Sequence, residues 1–112
     1  MSVEGMWAIY YNEVDSGIVT LETGRVFGGD SMMAFVGKYT VNGQEFTAKA
    51  RTFSYNPAHF AVQNVFGRTG KLDLETQMQG TIEGGRLTGF IFETEQPDQK
   101  LPVRMEKLAE LP

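Results

Sequence analysis

The sequence predicts a mainly β fold, an antiparallel eight-stranded up-and-down barrel with one short helix. Three observations carry that prediction. Residues 71–82, KLDLETQMQGTI, alternate apolar and polar side chains with period two, the pattern of a half-buried strand. Thirteen glycines against four prolines point to tight turns between short strands. About eight strand-like segments follow one another along the chain, and closing them into a barrel removes both sheet edges while enclosing one core.

The size and charge of the chain narrow the class further. Residues 1–112 are read as a single domain, large enough to bury about 65% of the surface its unfolded form exposes. The absence of cysteine excludes disulfide frameworks and thiolate metal sites. The opening stretch MSVEGMWAIYYNE has no basic segment and no long apolar run, so no signal peptide is expected and a reducing cytoplasm is the expected compartment. No run nears the ~20 apolar residues of a membrane helix, so membrane insertion is not expected. A net charge of −4 with scattered basic residues argues against direct contact with nucleic acid.

Taken in order, the first strand, GMWAIYY, is apolar on both faces. Either Trp7, Ile9 and Tyr11 or Met6, Ala8 and Tyr10 must look outward, and the first set is taken as a candidate interface. LETGRVFGG (21–29) reads as a hairpin with Glu22 facing Arg25 across the turn, an exposed pair worth about 0.5 kcal/mol that sets register more than stability. Gly28, Gly29 and Asp30 then interrupt an apolar run. Glycines allow a sharp corner there and an aspartate can bond nearby backbone N–H groups. No lysine and no helix start accompany them, so this is a corner and not a phosphate loop.

Asn42-Gly43 is the strongest short-range hairpin signal in the chain. Placed at the two central turn positions, it sets Tyr39 opposite Phe46, Gly37 opposite Ala48 and Phe35 opposite Ala50, with the charges on the other face. NPAHFAVQNVFG (56–67) begins with Asn-Pro, a good cap followed by a good first helical residue. Its apolar residues then fall at helical spacing up to Gly67. A short helix across a barrel mouth and an irregular loop both accommodate it. Gly84-Gly85 makes a second hairpin, pairing Ile82 with Leu87, Gly80 with Gly89 and Met78 with Ile91 on the inner face. That register sends Phe90 and Phe92 outward. LPVRMEKL (101–108) supplies the last strand, with Leu101, Val103 and Met105 inward.

Catalytic chemistry finds no constellation. His59 is the only histidine and sits on a polar face, so neither a histidine metal site nor a nucleophile–base pair can be assembled around it. Asp73 and Glu75 share a strand face with Gln77 and Gln79, which reads as the wet side. No enzyme activity and no cofactor are expected. The small inward residues Gly37, Ala48, Gly80 and Gly89 leave two readings open. They permit the coiling a barrel needs, or they leave a cavity walled by Phe35, Tyr39, Phe46, Met78 and Ile91, because an eight-stranded barrel either fills itself or holds one small ligand. The outward aromatics Phe90 and Phe92, with Trp7, Ile9 and Tyr11, suggest an interface, most simply a homodimer.

Gly5-Met6-Trp7, Gly17, Gly28-Gly29-Asp30, Phe35-Val36-Gly37-Lys38-Tyr39, Val65-Phe66-Gly67 and Gly80 occur in that order. From about residue 4 to residue 108 the chain resembles the GrlR family, named for the negative regulator of a bacterial type III secretion system. The Gly-Gly-Asp corner followed by aromatic-x-Gly-x-Tyr is the most specific part. The resemblance implies a lipocalin-like barrel with a short helix and a homodimer, and a non-enzymatic regulator that sequesters a DNA-binding activator without touching DNA. It also implies a lipid-like molecule in the barrel. The acidic loop with which that regulator engages its activator falls at the hairpin occupied here by Val41-Asn42-Gly43-Gln44, where Glu45 is the only acid nearby.

Overall fold

A computed structural model describes residues 3–13, 15–63 and 66–112. The described residues form eight strands: β1 (Gly5–Tyr11), β2 (Asp15–Glu22), β3 (Arg25–Gly29), β4 (Met33–Asn42), β5 (Glu45–Ser54), β6 (Asp73–Glu83), β7 (Arg86–Glu93) and β8 (Leu101–Ala109). Each pairs antiparallel with the next and β8 returns to β1, closing the barrel. The fold is the expected up-and-down barrel, with every strand edge paired.

Turn chemistry makes the two barrel ends different. At one end β2–β3, β4–β5 and β6–β7 are joined by two-residue turns, closed by the pairs Glu22–Arg25, Asn42–Glu45 and Glu83–Arg86. Thr23 and Gly24 both have positive φ, as a type I′ turn requires, whereas the other two turns place a glycine with φ +63 at their first central position, the type II′ pattern. This choice corrects the expected β4–β5 register. Asn42 closes the strand pair and Gly43-Gln44 makes the turn, so Tyr39 faces Ala48, Gly37 faces Ala50 and Phe35 faces Thr52. The slip is two residues and leaves the inner face unchanged, because side chains alternate with period two. The β6–β7 register is as expected, Ile82 with Leu87, Gly80 with Gly89 and Met78 with Ile91.

At the opposite end the connections are longer. Residues 12–13, the Asp30 corner, residues 55–63 and 66–72, and residues 94–100 lie there. The helix expected over 56–67 is reduced, among the described residues, to one 3-10 turn at Pro57–His59. Asn56 does cap it, its side-chain oxygen accepting from the Ala58 N–H. Helical spacing alone could not extend a segment of this length, since so short a helix needs an apolar face to pack, and this turn buries none of its residues. Val65 and Asn64 of that expectation lie outside the described residues.

The core fills the barrel axis, and β1 is set by its neighbours. Trp7 lies across from Val19, and Ile9 and Tyr11 lie across from Met105 and Val103, so these three point inward and are essentially buried. They are therefore not surface interface residues. The Trp7 indole N–H donates to the Val3 carbonyl at 2.9 Å. Outward on the same strand, Tyr10 lies 3.9 Å below the Arg104 guanidinium. Phe92 also leaves the surface, buried beneath Lys100, whose ammonium stands 4.8 Å from the ring centre. Phe90 alone of the five proposed interface aromatics and aliphatics is exposed.

Candidate functional site: the open end of the barrel

The inner face divides along its length. Toward the tight turns, Tyr39 and Phe46 stack with ring centres 5.6 Å apart and fill the interior. The inward glycines do not open it. A Cβ on Gly80 would come within 2.5 Å of the Thr88 carbonyl oxygen. One on Gly89 would strike the Gln79 carbonyl, and one on Gly37 would strike that of Lys49. These glycines let neighbouring backbones approach closely, which settles their role as strand coiling.

A cavity does exist, toward the open end. It begins between the ends of β1 and β3 and the starts of β2 and β4, where Asp15, Ser16, Asp30, Ser31 and Met32 form a rim. The Asp30 corner is built by the aspartate itself, whose Oδ1 accepts from the N–H groups of Met32 and Met33, both at 2.8 Å. The Tyr55 hydroxyl donates to the Asp30 carbonyl at 2.6 Å and ties the long β5–β6 connection to this corner. Phe66 from that connection also lines the opening.

Below the rim the lining is Tyr11, Phe35, Thr52, Thr76 and Ile91. A second, deeper cavity shares Tyr11, Phe35, Thr76 and Ile91 and continues to Ala48 and Met78. The space open to the centre of a water-sized sphere is about 50 Å³ in the outer cavity and about 40 Å³ in the inner, room for a few waters or a slender chain rather than a drug-sized ligand. Of the expected cavity wall, Phe35, Ala48, Met78 and Ile91 line this space. Tyr39 and Phe46 plug the far end, and the three glycines lie in the walls.

Two polar features stand inside this apolar channel. Thr52 and Thr76, both buried, bond each other through their hydroxyls at 2.9 Å. Tyr11 has no such partner. Its ring meets Phe35 edge-on at 6.2 Å, and its hydroxyl oxygen is buried without a hydrogen bond among the described residues. Burial first, and then the negative charges of Asp30 and Asp15, hold its phenol pKa well above 10, so the group is a neutral donor throughout the physiological range. Nearby, Glu93 is only 6% exposed and is held by a two-point bond from Arg68, with Nε and a terminal nitrogen at 3.0 and 2.8 Å. Arg68 thus pins the 55–72 connection over the open end.

The strand alternation already placed Thr76 inward, and Phe66 fell in the segment expected across a barrel mouth, but nothing in the sequence marked Asp15, Thr52 or the Arg68–Glu93 pair. Tyr11 was assigned to the wrong face. A different feature lies outside: Met6, Ile18, Phe27 and Val36 are 44, 43, 38 and 55% exposed. The register runs Met6–Thr20–Phe27–Val36 across β1 to β4, a mainly apolar outer belt interrupted by Thr20. The outer faces of β5 and β6 instead carry ion pairs, Lys49–Glu75 and Arg51–Asp73. No protein-family model matches the chain, and no curated protein matches it at a significant level.

Proposed function

We propose that this barrel is a non-enzymatic binding protein that takes one small, mainly apolar molecule through its open end. The observation that carries the reading is the buried, unpartnered hydroxyl of Tyr11, a residue that lines the cavity. Nearly all buried polar groups have partners, and one left without a partner is costly. A polar ligand atom that hydrogen-bonds the Tyr11 hydroxyl, as donor or as acceptor, lowers that cost, while Phe35, Ile91 and Met78 line the space for its apolar part. Nucleophile and base are not paired along this wall, so binding rather than turnover is the chemistry it supports. A cysteine-free chain suits the cytoplasm, and ion pairs on the outside of β5 and β6 favour water there over lipid.

Native mass spectrometry of protein purified without denaturant tests this reading. Extra mass lost on gentle activation supports it. Bare protein whose melting temperature no small amphiphile raises refutes it.

A second reading is favoured by the outer belt of Met6, Ile18, Phe27 and Val36. Contiguous exposed apolar surface marks interfaces, and the resemblance to GrlR regulators suggests a homodimer or a sequestered protein partner. Val36→Asp is then expected to turn a dimer of the 12.5 kDa chain into a monomer with an unchanged melting temperature. An unchanged mass in sedimentation removes the belt as a dimer interface.

A further inference from the structure

Resting on the reading of the open-end cavity as a ligand site, we infer that its ligand carries a cationic head, as an alkyl amine does, and that the site discriminates against carboxylates such as fatty acids. The geometry is specific on this point. Tyr11 lines the cavity and its buried hydroxyl has no hydrogen-bond partner among the described residues, so the wall holds a polar position that a bound group can complete. Around it the charged side chains lining the cavity are Asp15 and Asp30, and no lysine, arginine or histidine lines it among the described residues. Both carboxylates act on the Tyr11 phenol, which places them within electrostatic reach of any head group that meets it.

The neighbouring charges do not offset this field. Glu93 and Arg68 are bonded to each other as a net-neutral pair, and neither lines the cavity. Asp30 spends Oδ1 on the N–H groups of Met32 and Met33, yet it keeps its full charge. An ammonium at the rim is therefore attracted by two carboxylates in a partly desolvated setting, where charge interactions are stronger than in water. A carboxylate there is repelled by the same two groups. A neutral alcohol falls between, bonding Tyr11 without a charge contribution. The narrow channel beneath, walled by Phe35, Ile91, Ala48 and Met78, takes a thin unbranched chain.

The test compares three probes of one chain length, hexylamine, hexan-1-ol and hexanoate, titrated calorimetrically into the full chain at neutral pH and low salt. The amine is expected to bind about tenfold or more tighter than the carboxylate, with the alcohol intermediate. In Asp15→Asn/Asp30→Asn the amine and alcohol affinities are expected to converge to within about threefold. Asparagine keeps the Oδ1 acceptor that builds the corner, and Asp15→Asn alone, at an exposed position, serves if the double variant misfolds. Equal binding of hexanoate and hexylamine overturns the head-group assignment and leaves the cavity a ligand site. The same holds for an amine preference that survives the substitutions, which would trace it to the net charge of the whole protein. Failure of all three probes to bind overturns the ligand site together with the inference.

Discussion

Replacing Tyr11 by phenylalanine separates a site awaiting a ligand from an ordinary core position. The wild-type hydroxyl is buried without a partner, which costs on the order of 1–3 kcal/mol. Phenylalanine keeps the ring and its edge contact with Phe35 and removes only the oxygen. The void this leaves is smaller than a methylene, a loss of roughly 0.5 kcal/mol. The difference predicts that Tyr11→Phe is more stable than wild type by about 1 kcal/mol once both are stripped of any cargo by refolding. For a domain of this size that is a rise in melting temperature of about 4 °C. Urea unfolding is the assay, with the midpoint moving up and the slope unchanged, so that the change belongs to stability and not to compactness. In the same variant the affinity for hexan-1-ol is expected to fall about tenfold, the worth of one hydrogen bond. A variant less stable than wild type by 1 kcal/mol or more would refute the reasoning, because the hydroxyl would then have a partner in the empty protein.

The same tyrosine sets a response to alkali. Its pKa is raised above the ordinary 10 by burial, then by Asp30 and Asp15. The unfolded chain therefore loses this proton at about pH 10 while the folded protein keeps it. Stability is unaffected below that pH and falls by about 1.4 kcal/mol per unit above it until the folded group ionises. Tyr11→Phe should show a shallower alkaline decline, and parallel curves would refute this. Gly89→Ala, driven into the Gln79 carbonyl, should cost about 2–3 kcal/mol. Gly43→Ala meets nothing within 4 Å and has only its positive φ to oppose it, so about 1 kcal/mol is expected. Equal losses in urea unfolding would contradict the close-approach account. Arg68→Met leaves the buried Glu93 carboxylate without its two-point bond and should cost about 2 kcal/mol, less than a fully buried pair because Arg68 is half-exposed; an unchanged urea midpoint would count against it.

Much of the barrel was legible because period-two alternation and turn glycines are local signals. β6 and β8 carried one apolar face each, and the inner face of β7, which also carries Phe90 and Phe92 on its outer side, followed from the Gly84-Gly85 register. β1 was not legible in this way. With Met6, Ala8 and Tyr10 as apolar as Trp7, Ile9 and Tyr11, only the pairing with β8 and β2 chooses the inner face. The β4–β5 turn failed on a finer point: Asn-Gly suits a type I′ turn, but Gly43 occupies the first position of a type II′ turn, which moves the register by two. Such a slip keeps the core and changes which residue stands opposite Phe35, from Ala50 to Thr52. The Thr52–Thr76 bond was hidden for a different reason, since it depends on the β5–β6 register, which no short turn signals. The rim was only partly legible: the Gly28-Gly29-Asp30 corner stood out and the β2–β3 hairpin brings it beside the start of β2, but only the tertiary fold brings Phe66 of the β5–β6 connection to it.

The two barrel ends divide stability from function in physical terms. The end with two-residue turns has its backbone groups paired and its interior filled by Tyr39 and Phe46, leaving no room for a guest. Close glycine approaches along β4–β5 and β6–β7 coil the strands and narrow the bore. What space remains is displaced toward the long connections, where isolated backbone bonds such as Ser54 to Leu72 are supplemented by side chains: Asp30 on Met32 and Met33, Tyr55 on Asp30, Ser54 on Leu72. Segments held this way open at lower free energy than the strands they connect. A ligand wider than the resting cavity can therefore enter by displacing Phe66 at the rim while the barrel stays closed. The Arg68–Glu93 bond is one contact that such a displacement strains, so Arg68→Met is expected to speed hexan-1-ol association and dissociation together. Stopped-flow exchange rates that stay at wild-type values in that variant would place the route elsewhere on the rim.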